Sequence, residues 1–206
     1  GTLLLAISSA ALGTITVLKG QSLIGDAIGH SAFPGLVLAF MVFSSRNPVI
    51  LLFGAIFSGS IAFILIQVIN KNSKLGLDTI LAIVLSSFFG LGMALKSHIQ
   101  GNPNYRGASQ SGLSNYIFGQ AAYMMETDVK IILVISIAVL LLITLFYKEI
   151  KVFIFDEVYA KTIGINEKFI YAVIMISAMS LIGTGLKIVG AILISSLLIV
   201  PAIAAL

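Results

Sequence analysis

One stretch near the start of the chain carries two side chains that could bind a metal ion. The segment Lys19–Gly35 reads KGQSLIGDAIGHSAFPG and sets Asp26 and His30 between two apolar runs. Residues four apart lie on one face of a helix, so the carboxylate and the imidazole would point the same way. This ligand pair suits manganese, iron or zinc where no thiolate is available. Ionisable groups inside a membrane usually face a bundle interior or a water-filled path.

A plainer interpretation of the same two residues is also open. The residues just upstream, KGQS, are polar, so Asp26 could cap a helix and His30 could lie at the membrane interface. Two features favour a binding site instead: Gly25 and Gly29 allow close helix approach, and Pro34-Gly35 could break the helix. Broken helices of this kind often form the binding sites of transporters.

Several familiar catalytic sites are absent from the sequence. It contains no G-x-x-x-x-G-K-[ST] phosphate loop, no H-E-x-x-H and no G-x-S-x-G, so the chain is not expected to be an enzyme. There is no cysteine, and His30 and His98 are the two histidines. A three-histidine zinc site within one chain is therefore excluded, and no resident cofactor is expected. The net charge of +4 is explained by basic residues flanking membrane spans rather than by nucleic-acid binding.

The elements that position these residues must lie in a lipid bilayer. Hydrophobic residues make up 59% of the chain and charged residues 10%, whereas soluble domains carry roughly 25% charged residues. Only helices or closed barrels can span a bilayer, and the long, non-alternating apolar runs favour helices. The sequence therefore predicts an all-α, polytopic transmembrane bundle that forms a single domain over residues 1–206.

Seven apolar segments predict about seven helices. They are Leu3–Leu18, Ser31–Phe43, Pro48–Ile69, Leu77–Leu95, Val129–Phe146, Phe169–Ile182 and Ile188–Leu206. The second can span only if its helix begins near Leu23 and so includes Asp26 and His30. Leu113–Met125 could be a half-helix, and Gly183-Thr184-Gly185 is predicted as a tight turn. Both ends of the chain fall inside apolar runs, so we expect both natural ends to be missing.

A charged amphipathic segment, Phe155–Ile165 (FDEVYAKTIGI), lies in the longest polar connection. Acidic residues near its start and a lysine near its end suit the dipole of a single helix; these are Asp156, Glu157 and Lys161. Gly164 can end that helix. Apolar contacts would come from Val158, Ile163 and Ile165. The residues alone are also compatible with an ordinary amphipathic helix lying on the membrane.

Two further segments could line a path or could simply pack. Gly183–Ala205 carries a face of small residues, Gly190, Ser195 and Ser196, and Pro201 could kink its helix. Ser114–Asp128 carries aromatic residues that suit a half-helix at the interface; these are Tyr116, Phe118 and Tyr123. It ends in two acidic residues, which could attract cations at a mouth or begin the next helix; these are Glu126 and Asp128.

The distribution of basic residues gives an orientation. The positive-inside rule favours placing seven of the twelve in the cytoplasm. These are Lys19, Lys71, Lys74, Lys148, Lys151, Lys161 and Lys168. The other five would lie outside: Arg46, Lys96, Arg106, Lys130 and Lys187.

Four motifs, in this order along nearly the whole chain, resemble the permease subunits of manganese/zinc/iron ABC importers. Lys19–Gly35 is similar to that family's S-L-x-G-D-A-[IL]-x-H-[AS]-x-x-P-G signature, although Gly29 and Phe33 depart mildly from it. Ser114–Gly119 is similar to its [FY]-[LI]-F-G element. The other two matches are the cytoplasmic F-D-x-x-[FY]-A-x-x-x-G-[IL] segment at Phe155–Ile165 and the V-V-G-x-x-L-[VI]-S-x-L-L-I-[IV]-P-A motif at Ile188–Ala204.

The resemblance implies a fold like that of the vitamin B12 importer permease, acting as a homodimer in the bacterial cell membrane. Asp26 and His30 would lie on the translocation path, and two copies would give two carboxylates and two imidazoles. A separate cytoplasmic ATPase would dock on the coupling segment, through residues that include Phe155, Asp156, Glu157, Ala160 and Gly164. An extracytoplasmic metal-binding protein would deliver manganese, zinc or iron.

The leading hypothesis is therefore an ATP-driven metal importer. An ion-coupled secondary transporter, in which Asp26 carries the coupling ion, is the alternative. Inverted repeats would favour that alternative, and the sequence contains no clear internal repeat. One aspartate and one histidine per chain do not distinguish among the three metals.

Overall fold

The computed structural model describes residues 1–21, 23–44, 47–101, 119 and 124–205. Over these residues it contains nine α-helices and no β-strand, which confirms the all-α prediction. In chain order the helices are α1 (Thr2–Leu18), α2 (Ile24–Phe43), α3 (Pro48–Asn72), α4 (Leu77–Gly101), α5 (Glu126–Leu145), α6 (Tyr147–Phe155), α7 (Glu157–Thr162), α8 (Glu167–Ile188) and α9 (Ala191–Ala204).

Five of these helices, α2, α3, α4, α5 and α8, are long and apolar enough to cross a membrane. Two shorter apolar helices, α1 and α9, complete the bundle described here. The sequence prediction of about seven apolar helices agrees with this count. Helix α2 begins at Ile24 and includes both Asp26 and His30, as its spanning length requires.

The predicted break at Pro34-Gly35 does not occur, because α2 continues to Phe43. The small residues serve close packing instead. A Cβ added to Gly35 would lie 2.1 Å from the carbonyl oxygen of Gly54 on α3. In the same contact, the Ser58 hydroxyl of α3 donates a 2.7 Å hydrogen bond to the Ser31 carbonyl of α2.

The predicted turn at Gly183-Thr184-Gly185 is wrong, since these residues lie inside α8. Their glycines make room for neighbours: a Cβ on Gly183 would meet Leu52, and one on Gly185 would meet Ile194, at 2.6 and 2.5 Å. The helical conformation is interrupted further on, at Gly190 between α8 and α9. Its φ of +83° is available to glycine at little cost.

Two backbone contacts hold other parts of the bundle together. A Cβ on Gly13 of α1 would lie 1.7 Å from the Leu198 carbonyl oxygen of α9. A Cβ on Gly119 would lie 2.3 Å from the Val189 carbonyl carbon and 2.7 Å from the Gly190 nitrogen, at the junction of α8 and α9. Only glycine permits such backbone approaches without displacing a helix.

The two ends of the bundle carry different polar contacts. At one end, called the α7 end here, Lys19 approaches Glu157 of α7 and Gln67 of α3 donates to Tyr171 of α8. At the opposite end, Lys187 of α8 contacts Asp128 in the first turn of α5. The connections that follow α1, α3 and α5 therefore share the α7 end.

Candidate functional site

Asp26 and His30 occupy the first two turns of α2. Leu23 stands at the N-cap position, and no side-chain hydrogen bond caps this helix. At about 1.5 Å of rise per residue, His30 lies roughly 9 Å into the helix from the α7 end. The pair is therefore inside the apolar part of the bundle but near one of its ends.

The two side chains face each other, as their spacing predicts. His30 Nε2 lies 3.4 Å from Asp26 Oδ1. The Asp26 side chain is 35% exposed and that of His30 16% exposed on the isolated protomer. The pair is thus half-buried and opens towards the outside of the protomer.

The second imidazole nitrogen of His30 is a buried polar atom without a partner. Its Nδ1 is enclosed, and it neither accepts nor donates a hydrogen bond within the described part of the chain. The ring is held edge-on to Phe89 of α4, with centroids 5.0 Å apart and planes at 81°. The nitrogen that faces the Asp26 carboxylate, and could share a metal ion with it, is therefore Nε2.

Small residues surround the pair on its inner side. A Cβ on Gly25 would come within 3.0 Å of the Leu198 side chain, and one on Gly29 within 3.6 Å of Ile182. Ser195 of α9 lies close enough to interact with the Asp26 carboxylate. Among the described residues, no group of three or more potential metal-binding side chains occurs. One protomer therefore offers two ligands, which is half of a usual coordination set.

The coupling segment contains the single helix predicted for it, α7, which follows the last residue of α6. Helix α6 ends at Phe155, and Asp156 adopts an extended conformation that starts α7. The Asp156 carboxylate accepts a 2.8 Å hydrogen bond from the Tyr159 nitrogen, a standard N-cap. Gly164 ends the segment with a φ of +84°, as its sequence position predicts.

The apolar contacts predicted for the coupling segment form in part. Ile165 packs against the core, whereas Val158 and Ile163 are 74% and 50% exposed. Phe155 is 72% exposed and Tyr159 54% exposed, so the segment presents apolar and aromatic side chains outward. Ala160 is fully buried beneath them and anchors α7 to the bundle. The outward surface of this segment consists chiefly of these four large side chains, and we call it the α7 surface.

Sequence reasoning missed the contacts of Lys19, which it treated only as the basic residue that begins the motif at a membrane boundary. Its Nζ lies 3.2 Å from the centroid of the Phe153 ring and 3.9 Å from Glu157 Oε2. No local pattern connects Lys19 with α6 and α7, because these contacts span more than 130 positions of the sequence.

The acidic residues Glu126 and Asp128 form the first turn of α5 rather than an open mouth. Asp128 is 4% exposed, and both of its carboxylate oxygens accept hydrogen bonds from Lys187, at 2.6 and 2.7 Å. The carboxylate is therefore already paired. Glu126 stands in the same turn and is paired with Lys130 at 2.7 Å.

Three aromatic residues of the predicted half-helix lie outside the described residues: Tyr116, Phe118 and Tyr123.

Comparison with known proteins identifies the family. The sequence matches the ABC 3 transport family over residues 1–206. It is 42% identical to the manganese transport system membrane protein MntC of Bacillus subtilis (strain 168), over the whole chain and 46% of that protein. It is 35% identical to the zinc transport system membrane protein TroC of Treponema pallidum (strain Nichols), over the whole chain and 68% of that protein.

A solved structure shares the fold. The structure described as PsaBC from Streptococcus pneumoniae in complex with Fab superposes with a TM-score of 0.83 at 34% identity, over 98% of this chain and 68% of that one. The chain thus spans about half to two thirds of the length of the proteins it matches. These matches, together with the helical bundle, show that the chain is a membrane protein of the ABC 3 transport family.

Proposed function

We propose that this chain is the membrane-spanning permease subunit of an ATP-driven importer for divalent transition-metal ions. The observation that carries the proposal is the Asp26–His30 pair, whose carboxylate and imidazole Nε2 lie 3.4 Å apart in an otherwise apolar helix. Manganese and zinc appear in the names of relatives at 42% and 35% identity. Manganese, zinc and iron all accept carboxylate and imidazole ligands, so the metal itself stays open among these three.

A second copy of the chain would complete the site. Each protomer contributes one carboxylate and one imidazole, and both remain partly open to the outside of the protomer. A two-fold axis beside α2 would bring two of each together. Two carboxylates offset the charge of a dication, and the modest number of ligands suits an ion that must leave again.

The α7 end is proposed to face the cytoplasm. Four large side chains on the α7 surface, among them Phe155 and Val158, are exposed at this end. A separate ATPase subunit would bind there and perform the hydrolysis, since the sequence contains no phosphate loop. A metal-binding protein would deliver the ion at the opposite end, outside the cell membrane of a bacterium.

The test is metal uptake by variants of the pair. The permease is expressed with its ATPase and binding protein in cells that lack other importers, and uptake of radioactive manganese or zinc is measured per folded permease. His30→Ala and Asp26→Asn should each reduce uptake about ten- to a hundred-fold, the loss typical when even an indirect partner of a metal ligand is removed.

The chain offers matched controls for both changes. His98 and Asp78 lie exposed on α4, so His98→Ala and Asp78→Asn remove the same groups away from the pair and should leave uptake unchanged. Normal uptake by both variants of the pair would refute its role. Uptake that persists without the ATPase and follows a proton or sodium gradient would favour the secondary-transporter alternative, in which Asp26 carries the coupling ion.

A further inference from the structure

Lys19, the first residue after α1, is a buried cation that the metal site does not use. Its side chain is 16% exposed, and its ammonium group lies over the Phe153 ring at 3.2 Å from the centroid. The ring of Tyr171 lies 5.7 Å away, and Glu157 Oε2 lies at 3.9 Å. A cation over an aromatic face is attracted by the ring quadrupole, and the attraction grows as water is removed. We call these contacts the Lys19 junction.

Opposing effects act on the charge of Lys19. Burial lowers the pKa of Lys19, against the opposing effect of Glu157, so the charged form is disfavoured by its surroundings.

The Lys19 junction joins three parts of the protein with different roles. Phe153 belongs to α6 and Glu157 to α7, and these two helices carry the α7 surface. Lys19 itself begins the short connection between α1 and α2. It stands seven residues before Asp26 and eleven before His30.

Gln21, in the connection between Lys19 and α2, makes hydrogen bonds to three helices. The Gln21 nitrogen donates to the Thr16 carbonyl at 2.9 Å, and the Ile24 nitrogen donates to the Gln21 carbonyl at 3.1 Å. The Tyr171 hydroxyl of α8 donates to Gln21 Oε1 at 3.4 Å. These hydrogen bonds link Gln21, two residues after Lys19, to α1, to the first residue of α2 and to α8.

We propose that Lys19 is a positioning residue that couples movement of α6 and α7 to the start of α2, and thereby to Asp26 and His30. The proposal rests on the proposed function, because it takes the α7 surface as the ATPase contact. Such a role requires a contiguous physical connection whose loss uncouples two sites without removing either. The Lys19 junction provides that connection through direct contacts.

The experiment uses the full permease with its ATPase and binding protein in liposomes, and it measures metal ions moved per ATP hydrolysed. Lys19→Met keeps the length and apolar stem of the side chain but removes the charge. It should retain ATPase binding and hydrolysis, while metal moved per ATP falls about ten-fold, equivalent to roughly 1.4 kcal/mol. Lys19→Arg keeps a cation that stacks on aromatic rings and should stay within about two-fold of the wild type.

Lys74→Met is the matched control, because Lys74 is an exposed lysine at the same end, in the connection before α4. It should leave the ratio of metal to ATP unchanged. If Lys19→Met does not fold, Phe153→Leu removes the ring face while keeping an apolar side chain, and a fall in the same ratio is expected.

A normal ratio in folded Lys19→Met, or in Phe153→Leu when the first variant does not fold, overturns the proposal. An equal fall in Lys19→Met and Lys19→Arg also overturns it, because the effect would then come from packing and not from charge. Failure of the proposed function has a different signature: the wild type and Lys74→Met would themselves show no ATP-dependent uptake.

Discussion

The ion pair between Asp128 and Lys187 allows a sharp test of how burial controls electrostatic stability in this bundle. The chain contains two ion pairs at nearly the same distance and at the same end. Lys187 contacts Asp128 at 2.6 Å, where Asp128 is 4% exposed. Lys130 contacts Glu126 at 2.7 Å, where both side chains are more than 70% exposed. Lys187→Met and Lys130→Met therefore remove the same charge from two different environments.

The expected magnitudes differ several-fold. Removing one partner of a buried pair leaves an uncompensated charge and costs about 3–5 kcal/mol. The lower end applies to Lys187→Met, since the Met125 nitrogen still donates to Asp128 at 3.1 Å. In addition, a cavity of about 30 Å³ beside the pair has room for a water molecule. We expect a loss of about 3 kcal/mol. An exposed pair four residues apart on a helix contributes about 0.3–0.5 kcal/mol, which is the expected loss for Lys130→Met.

The assay is unfolding of the purified permease by sodium dodecyl sulfate in mixed micelles, followed by circular dichroism of the helices. The double variant Asp128→Asn, Lys187→Met should recover at least half of the loss, because no charge is then left buried. Equal losses for the two lysine variants would refute the reasoning. So would a double variant that is less stable than Lys187→Met.

Three further outcomes are expected. Gly13→Ala should lower the melting temperature of the permease strongly, since its Cβ would lie 1.7 Å from a carbonyl oxygen of α9, whereas Gly76→Ala has open space and should not. Val158→Asp should leave the bundle folded but reduce co-purification with the ATPase, because Val158 is 74% exposed on the α7 surface. Hydrogen bonding between the two carboxyl groups raises the pKa of Glu157 from its ordinary value and lowers that of Glu167. Glu157 therefore contributes stability that is complete below its unfolded-state pKa and lost as pH rises through its folded-state pKa, whereas the contribution of Glu167 is lost as pH falls, and Glu157→Gln should remove both from the pH–stability curve.

Local signals in the sequence predicted the parts of the fold that depend on neighbouring residues. The spacing of Asp26 and His30 predicted that they share a helix face, because helical periodicity fixes that relation wherever the helix lies. Asp156 and Gly164 were predicted near the start and at the end of the helix in the coupling segment, and they flank α7 in the structure. An acidic cap and a terminating glycine are local signals, so the sequence alone could supply them.

Contacts between distant segments could not be predicted in the same way. Lys187 and Asp128 are 59 positions apart, and Lys19 and Phe153 are 134 positions apart, so no pattern in the sequence connects them. The glycines at 183 and 185 signal either a turn or a close contact between helices. The side chains that decide between these, Leu52 and Ile194, belong to other helices.

The contact of Gly119 with the junction of α8 and α9 has an evolutionary consequence. Its missing Cβ would meet backbone atoms of Val189 and Gly190, which are the same in every sequence. No second substitution can make room there, so related permeases should keep glycine at 119 without a covarying partner. Gly25 differs, since its Cβ would meet the Leu198 side chain at 3.0 Å, which a smaller residue would vacate. Positions 25 and 198 can therefore change together over evolutionary time, while position 119 has no compensatory route.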